Sequence, residues 1–139
     1  MPEKKNVLFV CIENSCRSQM AEAFAHLYAP DTIQAYSAGS RPSGKVNPKA
    51  VTVMAELGYS LDSHISKSLN EIPQIKYEYV ITMGCGDECP FIPADGHEDW
   101  DLPDPKLLSL EEFRLVRDQI GERVKELAAR IEVRNHAKR

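Results

Sequence analysis

The chain has 139 residues, of which 42% are hydrophobic and 27% charged, and these values are typical of one globular domain. A formal net charge of −4 argues against sequence-independent binding of nucleic acid, because that activity requires basic patches. No apolar run reaches the roughly 20 residues of a membrane span, and the charged start is unlike a secretion signal. Four cysteines without an export signal therefore indicate a cytoplasmic protein with catalytic, redox-active or metal-binding thiols.

The first part of the chain predicts a strand, a helix and a second strand. Residues 7–12 (V-L-F-V-C-I) form an apolar run that suits a strand buried on both faces of a parallel sheet. Residues 18–29 show helical spacing of apolar side chains and are followed by proline. Residues 33–37 form the second strand candidate. Asn47 then caps a further helix, whose first turn holds Pro48 and which ends before Gly58.

The second part predicts two more strands and a long final helix. Residues 77–83 form the third strand, and residues 97–101 form a short fourth one. Ser109 and Glu112 have the spacing of a capping box at the start of the last helix. Residues 134–139 are expected to fray.

Alternating strands and helices favour an α/β fold, with a four-stranded parallel sheet covered by helices on both faces in a single domain, residues 1–139. Ligands of such sheets bind at the carboxyl ends of the strands. The chemistry is therefore expected in the loops after Val10, Met83 and Trp100.

Residues 11–18, C-I-E-N-S-C-R-S, lie between the first strand and the first helix and form a candidate anion-binding loop. Backbone N–H groups in such a loop can converge on one point, and the helix dipole adds positive charge there. Arg17 can hold two oxygens of an oxyanion, and the same positive field favours the thiolate form of Cys11. Ser18 can donate a hydrogen bond to that thiolate. The predicted oxyanion-binding residues are Asn14, Ser15, Cys16, Arg17 and Ser18.

Two of these residues also have a purely structural interpretation. Cys11 could simply be the buried end of a strand, although apolar packing would not require Arg17 and Ser18 in the same turn. The side chain of Cys16 is expected to be a small buried group, because it does not end the strand.

The loop resembles the active-site loop of the low-molecular-weight protein tyrosine phosphatase fold, and Asp104-Pro105 resembles that fold's general-acid loop. Tyrosine phosphatases and thiol-dependent arsenate reductases share this fold. The reductases are the closer match, on the segments Y-S-A-G, V-N-P-K-A-V, S-H-I-S-K, T-M-G-C-G-D-E-C-P and E-D-W-D-L-P-D-P. Phosphatases usually have proline where Gln19 stands, and aromatic residues where Lys106 and Leu107 stand.

The resemblance implies that Cys11, Arg17, Cys85, Cys89 and Asp104 are catalytic. Reduction of arsenate to arsenite needs two electrons, and one disulfide formed from two thiols supplies them. The resemblance implies that thioredoxin then reduces the disulfide, although glutathione, glutaredoxin or mycothiol would also fit. The order in which Cys85 and Cys89 attack stays open. Asp104 is the expected general acid, with a turn residue as the structural alternative and Asp101 as the other candidate.

No metal site or cofactor is predicted. A C-x3-C pair alone is a poor zinc site, because zinc prefers four ligands. Some related reductases bind potassium through an asparagine, a glutamate and an aspartate; Asn14 and Glu22 match, but Lys67 stands at the last position. Its ammonium is expected to replace the cation and pair with Glu22, although a solvated lysine is the alternative. The four histidines show no clear partner.

Three functions remain in competition. The first is a monomeric cytoplasmic arsenate reductase that takes arsenate as its substrate and thioredoxin as its partner. The second is a low-molecular-weight phosphatase acting on phosphomonoesters through a phosphocysteine. The third is a non-catalytic anion sensor or protein-binding module. The pair Cys85 and Cys89 separates the first two, whereas Cys11, Arg17 and Asp104 together argue against the third.

Overall fold

The computed structural model describes residues 4–84 and 91–137, with side chains as far as residue 134. Its strands and α-helices are, in chain order, β1 (Lys5–Cys11), α1 (Arg17–Tyr28), β2 (Ile33–Gly39), α2 (Pro48–Ala55), β3 (Tyr77–Thr82), β4 (Ala94–Asp99) and α3 (Leu110–Ala137). The four strands are parallel, in the order β2-β1-β3-β4. This confirms the predicted single-domain α/β fold. None of the described helices is both long enough and apolar enough to cross a membrane.

The central strand β1 sets the position of the site. Its residues Val7, Leu8, Phe9 and Val10 are fully buried, because the strand has a neighbour on each side and apolar material on both faces. In the parallel register, Cys11 at its carboxyl end lies opposite Gly39 of β2. The loop that follows β1 therefore starts at the carboxyl edge of the sheet.

Helical segments cover the two faces of the sheet unequally. The three α-helices pack against one face of the sheet. Together they form one hydrophobic core, which includes Phe9, Phe24, Met54, Phe113 and Ile120. Within the described residues, the helical segment on the other face is a 3₁₀ turn at Leu69–Glu71, which contributes to a smaller cluster around Leu8, Val10 and Val80.

Local capping signals were predicted correctly. The Asn47 side chain accepts a hydrogen bond of 2.8 Å from the backbone N–H of Lys49, and Gly58 has a φ of +83° just beyond α2. The hydroxyl of Ser109 accepts from the N–H of Glu112, whose carboxylate accepts in turn from the N–H of Ser109. Both helices thus begin where the sequence indicated.

Most predicted boundaries are within two residues of the observed ones, and the two largest differences occur where contacts distant in sequence decide them. The fourth strand is Ala94–Asp99 rather than residues 97–101, since its pairing with β3 sets its ends. The last helix continues to Ala137, beyond the predicted start of fraying. Arg134 donates a 2.6 Å hydrogen bond to the hydroxyl of Tyr79, which ties the end of this helix to β3.

Candidate active site

The anion-binding loop, residues 11–18, has its carbonyl groups turned towards the segment that follows β2. The carbonyl oxygen of Ile12 accepts from the N–H of Arg41 at 2.8 Å, that of Glu13 from Ser43 at 3.1 Å, and that of Ser15 from Asn47 at 3.0 Å. In the described part of the chain, the backbone N–H groups of residues 13–18 have no recorded protein acceptor. They remain available, together with the start of α1, to bind an oxyanion.

Gly39 allows this loop to pack tightly on β2. A Cβ atom at position 39 would lie 2.6 Å from the carbonyl oxygen of Ile12 and 2.9 Å from the backbone nitrogen of Asn14. Both neighbours are backbone atoms, so no side-chain rotation could relieve the clash. The glycine that ends β2 is therefore needed for the shape of the loop.

Cys11 and Ser18 are in direct contact at the centre of the loop. The Cys11 Sγ atom is buried and lies 2.9 Å from Ser18 Oγ. Asn14 Nδ2 donates to the same hydroxyl oxygen at 2.7 Å, so the single proton of Ser18 is free to point at the sulfur. Asn14 has a φ of +51°, which lies in the left-handed region that asparagine adopts more readily than most residues.

Gln19 extends this network away from the thiol, and the sequence did not predict its role. Its Nε2 donates to Asn14 Oδ1 at 2.8 Å and to the backbone oxygen of Asn14 at 3.0 Å. Its Oε1 lies 3.0 Å from Nδ1 of His64, which therefore donates to it. The only sequence signal was that Gln19 replaces the proline usual in phosphatases. Here the amide holds Asn14, and hence Ser18, in place.

Arg17 is held at the mouth of the loop by the segment after β4. Its side chain is 6% exposed, and its Nη1 donates a 3.0 Å hydrogen bond to the carbonyl oxygen of Leu102. Its Nη2 lies 3.8 Å from Asp104 Oδ2. The structure thus brings together Cys11, Arg17 and Asp104, as the sequence predicted for the loops at this edge.

A cavity of about 10 Å³ lies between the anion-binding loop and Asp104. Cys11, Cys16 and Arg17 line it, as do Lys106 and Glu13, whose side chains form an ion pair of 2.7 Å. The cavity volume is about that of one water. The ion pair is partly exposed, and such pairs contribute at most about 1 kcal/mol. Breaking it to admit an oxyanion therefore requires little energy.

The general-acid candidates differ in position. Asp104 lines the cavity and has a side chain 48% exposed, with its Oδ1 accepting from the N–H of Lys106. Asp101 is exposed and does not line the cavity. The geometry favours Asp104 as the acid.

Cys16 has a different chemistry from Cys11 although both line the cavity. Burial, with smaller contributions from Asp104 and Cys11, raises the pKa of the Cys16 thiol to about 12. It is therefore a thiol at neutral pH. This agrees with the expectation that its side chain packs rather than reacts.

Cys85 and Cys89 lie outside the described residues. The residue before them, Gly84, has a φ of +74°, and a Cβ atom there would lie 2.8 Å from Nη1 of Arg17. The N–H of Gly84 donates to Asp99 Oδ1, which also accepts from the hydroxyl of Thr82 at 2.7 Å. The chain therefore leaves β3 directly beside the guanidinium of the anion site.

The predicted pairing of Lys67 with Glu22 is wrong. Lys67 Nζ donates instead to the carbonyl oxygen of Ile65 at 3.1 Å and approaches Ser37 Oγ at 3.4 Å. Glu22 Oε2 pairs with Nδ1 of His64 at 3.1 Å. The expectation that the histidines lack partners is therefore also wrong for His64.

A larger cavity in the described residues lies elsewhere. It has a volume of about 570 Å³ and is lined by residues that include Leu69, Tyr77 and Ala94. Tyr77 and Ala94 begin β3 and β4, so this groove lies at the amino edge of the sheet. It is on the opposite edge from Cys11, and none of its lining residues is a cysteine or an arginine.

Comparison with known proteins shows the family to which the chain belongs. Residues 6–137 match the family model described as low molecular weight phosphotyrosine protein phosphatase. The chain is 42% identical to a glutaredoxin arsenate reductase of Synechocystis sp., over 91% of this chain and 98% of that protein. An arsenate reductase solved in a phosphate-binding state has a TM-score of 0.82 and 41% identity, covering 91% of this chain and 98% of that one.

A thioredoxin-dependent arsenate reductase of Corynebacterium glutamicum has a TM-score of 0.76 and 32% identity, covering 94% of this chain and 63% of that one. These matches extend over most of the present sequence, and the range matched by the family model includes residues 11–18. The chain belongs to the low-molecular-weight phosphotyrosine protein phosphatase family, within its group of arsenate reductases.

Proposed function

We propose that this protein reduces arsenate to arsenite through Cys11 and a disulfide relay involving Cys85 and Cys89. The observation that carries the proposal is the water-sized cavity in which the buried Cys11 sulfur lies with Arg17 and Asp104. Its lining of thiol, arginine and carboxyl groups, with no aromatic residue, suits an inorganic oxyanion better than an aryl ester. The arsenate reductases to which the chain is similar support the same substrate.

The first step joins Cys11 to arsenic. Arsenate binds to the free N–H groups of the loop and to Arg17, which neutralise its charge. The Cys11 thiolate, stabilised by the Ser18 hydroxyl, attacks arsenic. A sulfur–arsenic bond forms, and Asp104 gives its proton to the departing oxygen, which leaves as water.

The second step transfers the electron pair. The Cys85 thiolate attacks the sulfur of Cys11, a disulfide forms, and the electrons of the sulfur–arsenic bond pass to arsenic, which leaves as arsenite. Cys89 then attacks Cys85 and releases Cys11 as a thiolate. The contact of Gly84 with Arg17 supports this step, because Cys85 is the next residue in the chain.

The final step returns the Cys85–Cys89 disulfide to two thiols. We assign this step to thioredoxin, and the name of the Corynebacterium glutamicum relative supports such a donor. The Synechocystis relative is named for glutaredoxin, which makes glutaredoxin the alternative to test. The protein needs no cofactor of its own in this scheme and works as a monomer in the reducing cytoplasm.

A coupled assay tests the relay. NADPH oxidation is followed with arsenate, thioredoxin and thioredoxin reductase, and in parallel with glutathione, glutaredoxin and glutathione reductase. Wild-type protein should consume NADPH only when arsenate is present, and faster in the thioredoxin system. Cys89→Ser should abolish turnover while still releasing one arsenite per chain in a single turnover.

Cys16→Ser is the matched control, because it keeps the backbone N–H at position 16 for the oxyanion and removes only a thiol that has no part in the relay. It should retain turnover. Mass spectrometry of the oxidised wild-type protein should find Cys85 joined to Cys89. Normal turnover by Cys89→Ser, or free thiols at both positions after many cycles, would show that the relay is wrong.

Phosphomonoester hydrolysis is the second candidate, because the same thiolate, arginine and acid could transfer a phosphoryl group. The family match supports it in general terms. Lys106 and Glu13 form an ion pair in the lining of the cavity, and the residues that line it are not aromatic. We therefore expect slow aryl phosphate hydrolysis that is insensitive to Cys89→Ser. An arsenate-independent phosphatase of high turnover would reverse the assignment.

A further inference from the structure

A cluster of two imidazoles and one carboxylate lies behind the anion-binding loop and is not used in the proposed reaction. Glu22 and His26 are one turn apart on the same face of α1, and His64 reaches them from the segment between α2 and β3. One ligand atom from each residue lies within 4.8 Å of the other two. Glu22 Oε2 and His64 Nδ1 are already 3.1 Å apart.

The hydrogen bonds of His64 fix which nitrogen carries its proton. Nδ1 faces two acceptors, Glu22 Oε2 and Gln19 Oε1, so it is the donor. Nε2 lies 2.7 Å from the hydroxyl oxygen of Tyr59 and accepts a hydrogen bond from that hydroxyl. Donation by Nδ1 and acceptance by Nε2 are the hydrogen-bond roles of a neutral imidazole. Neutral imidazole is the form that binds metal ions.

His26 gives the cluster an open side. Its ring is exposed, stacks on Tyr59 at a centroid distance of 6.2 Å, and meets the ring of His64 edge-on at the same distance. The described structure records ring contacts for His26 but no hydrogen bond. A change of side-chain rotamer could therefore turn one of its nitrogens towards Glu22 without breaking a bond.

We propose that Glu22, His26 and His64 form a binding site for a divalent transition metal of the zinc type. Two imidazoles and a carboxylate suit Zn²⁺, Co²⁺ or Ni²⁺ better than Mg²⁺ or an alkali ion, because nitrogen ligands favour the softer cations. Ligands about 2.1 Å from zinc lie roughly 3.4 Å from one another in a tetrahedron, close to the present Glu22–His64 distance. Water would take the fourth position on the exposed side.

The surroundings of the cluster fit this role. A metal on Nδ1 would replace its proton, and His64 would then donate through Nε2 to Tyr59, the kind of outer hydrogen bond that orients metal-binding imidazoles. Lys67, by contrast, opposes this role, because its nearby positive charge repels a cation. The metal would connect α1 to the segment between α2 and β3, which carries His64.

Metal titration tests the site independently of arsenate reduction. Zn²⁺ is titrated into reduced wild-type protein, His26→Gln and His97→Gln by calorimetry, and melting temperatures are measured with and without the metal. His97 is the matched control, an exposed histidine on β4 away from the cluster. His26→Gln should weaken Zn²⁺ binding at least roughly tenfold and remove the metal-dependent rise in melting temperature, while His97→Gln should behave like wild type.

Thiols also bind zinc, so the ligands must be identified. Co²⁺ is titrated into the variant that combines Cys11→Ser, Cys85→Ser and Cys89→Ser, and absorption reports the ligand set. Tetrahedral Co²⁺ bands without sulfur charge transfer, lost on adding His26→Gln, are the expected result. Sulfur charge transfer in wild type with no binding to this variant would overturn the proposal. So would equal Zn²⁺ affinity in wild type and His26→Gln.

Discussion

Replacing Gly84 with alanine separates backbone strain from damage to the anion site, because a second glycine provides a matched control. Gly84 has a φ of +74° and Gly58 a φ of +83°, so alanine is disfavoured at both positions by a similar amount. A Cβ atom at position 58 would meet no atom within 4 Å. At position 84 it would lie 2.8 Å from Arg17 Nη1 and 3.1 Å from the carbonyl oxygen of Leu102.

The left-handed conformation costs an alanine roughly 1–2 kcal/mol, so Gly58→Ala should lose about that much stability to unfolding. Gly84→Ala should lose the same amount and, in addition, push the guanidinium of Arg17 out of place. A hydrogen bond to a charged group contributes about 1.5–3 kcal/mol. Loss of the hydrogen bond from Arg17 to the oxyanion should therefore weaken oxyanion binding roughly 10- to 100-fold.

Urea unfolding gives the stability of each variant, and calorimetry with phosphate gives the anion affinity. We expect the anion affinity of Gly58→Ala to equal that of wild type and that of Gly84→Ala to fall. If Gly84→Ala binds phosphate as well as Gly58→Ala does, the contact between residue 84 and Arg17 does not position the guanidinium.

Three further experiments, two with substitutions and one with a thiol reagent, test other parts of the structure. Gly39→Ala should cost roughly 1–3 kcal/mol or more in urea unfolding and distort the anion-binding loop, because its Cβ would meet backbone atoms; an unchanged midpoint would refute this. Iodoacetamide at pH 8 should leave Cys16 unmodified in peptide mass spectra of the native protein, since burial raises its pKa to about 12. Hydrogen bonding, with a larger effect from Arg130 and a smaller one from Trp100, lowers the pKa of Glu98 below its ordinary value of 4.5. Glu98→Gln should therefore reduce stability by up to about 1 kcal/mol above pH 4.5, and the difference should shrink as the pH falls through the lowered pKa. A pH-independent difference would contradict that assignment.

Local signals in the sequence were sufficient for the order of elements and for much of the site. The apolar run before Cys11, the helix after Arg17 and the cap at Asn47 each depend on neighbours a few residues away. The position of Asp104 beside Arg17 followed from the rule that loops at the carboxyl ends of parallel strands meet. These parts of the structure were therefore predictable from residue order alone.

The remaining contacts join residues distant in sequence, and no periodic pattern encodes them. Lys67 was expected to pair with Glu22, but its side chain is turned to Ile65 and Ser37, and His64 takes the carboxylate instead. Which of two nearby side chains, Lys67 or His64, contacts the glutamate depends on side-chain direction. Backbone placement alone does not give that direction. The continuation of the last helix likewise depends on distant partners, among them Thr32 for Glu132 and the Tyr79 hydroxyl for Arg134.

The hydrogen bond from Arg17 Nη1 to the Leu102 carbonyl has a consequence for mutation and motion. It occupies one corner of the guanidinium and fixes its plane, so the opposite edge is presented to an oxyanion before any arrives. Since the acceptor is a main-chain oxygen, changing the side chain at position 102 does not remove it directly. Oxyanion affinity is therefore linked to the position of the backbone before Asp104, and a substitution that shifts this segment would alter affinity without touching a loop residue.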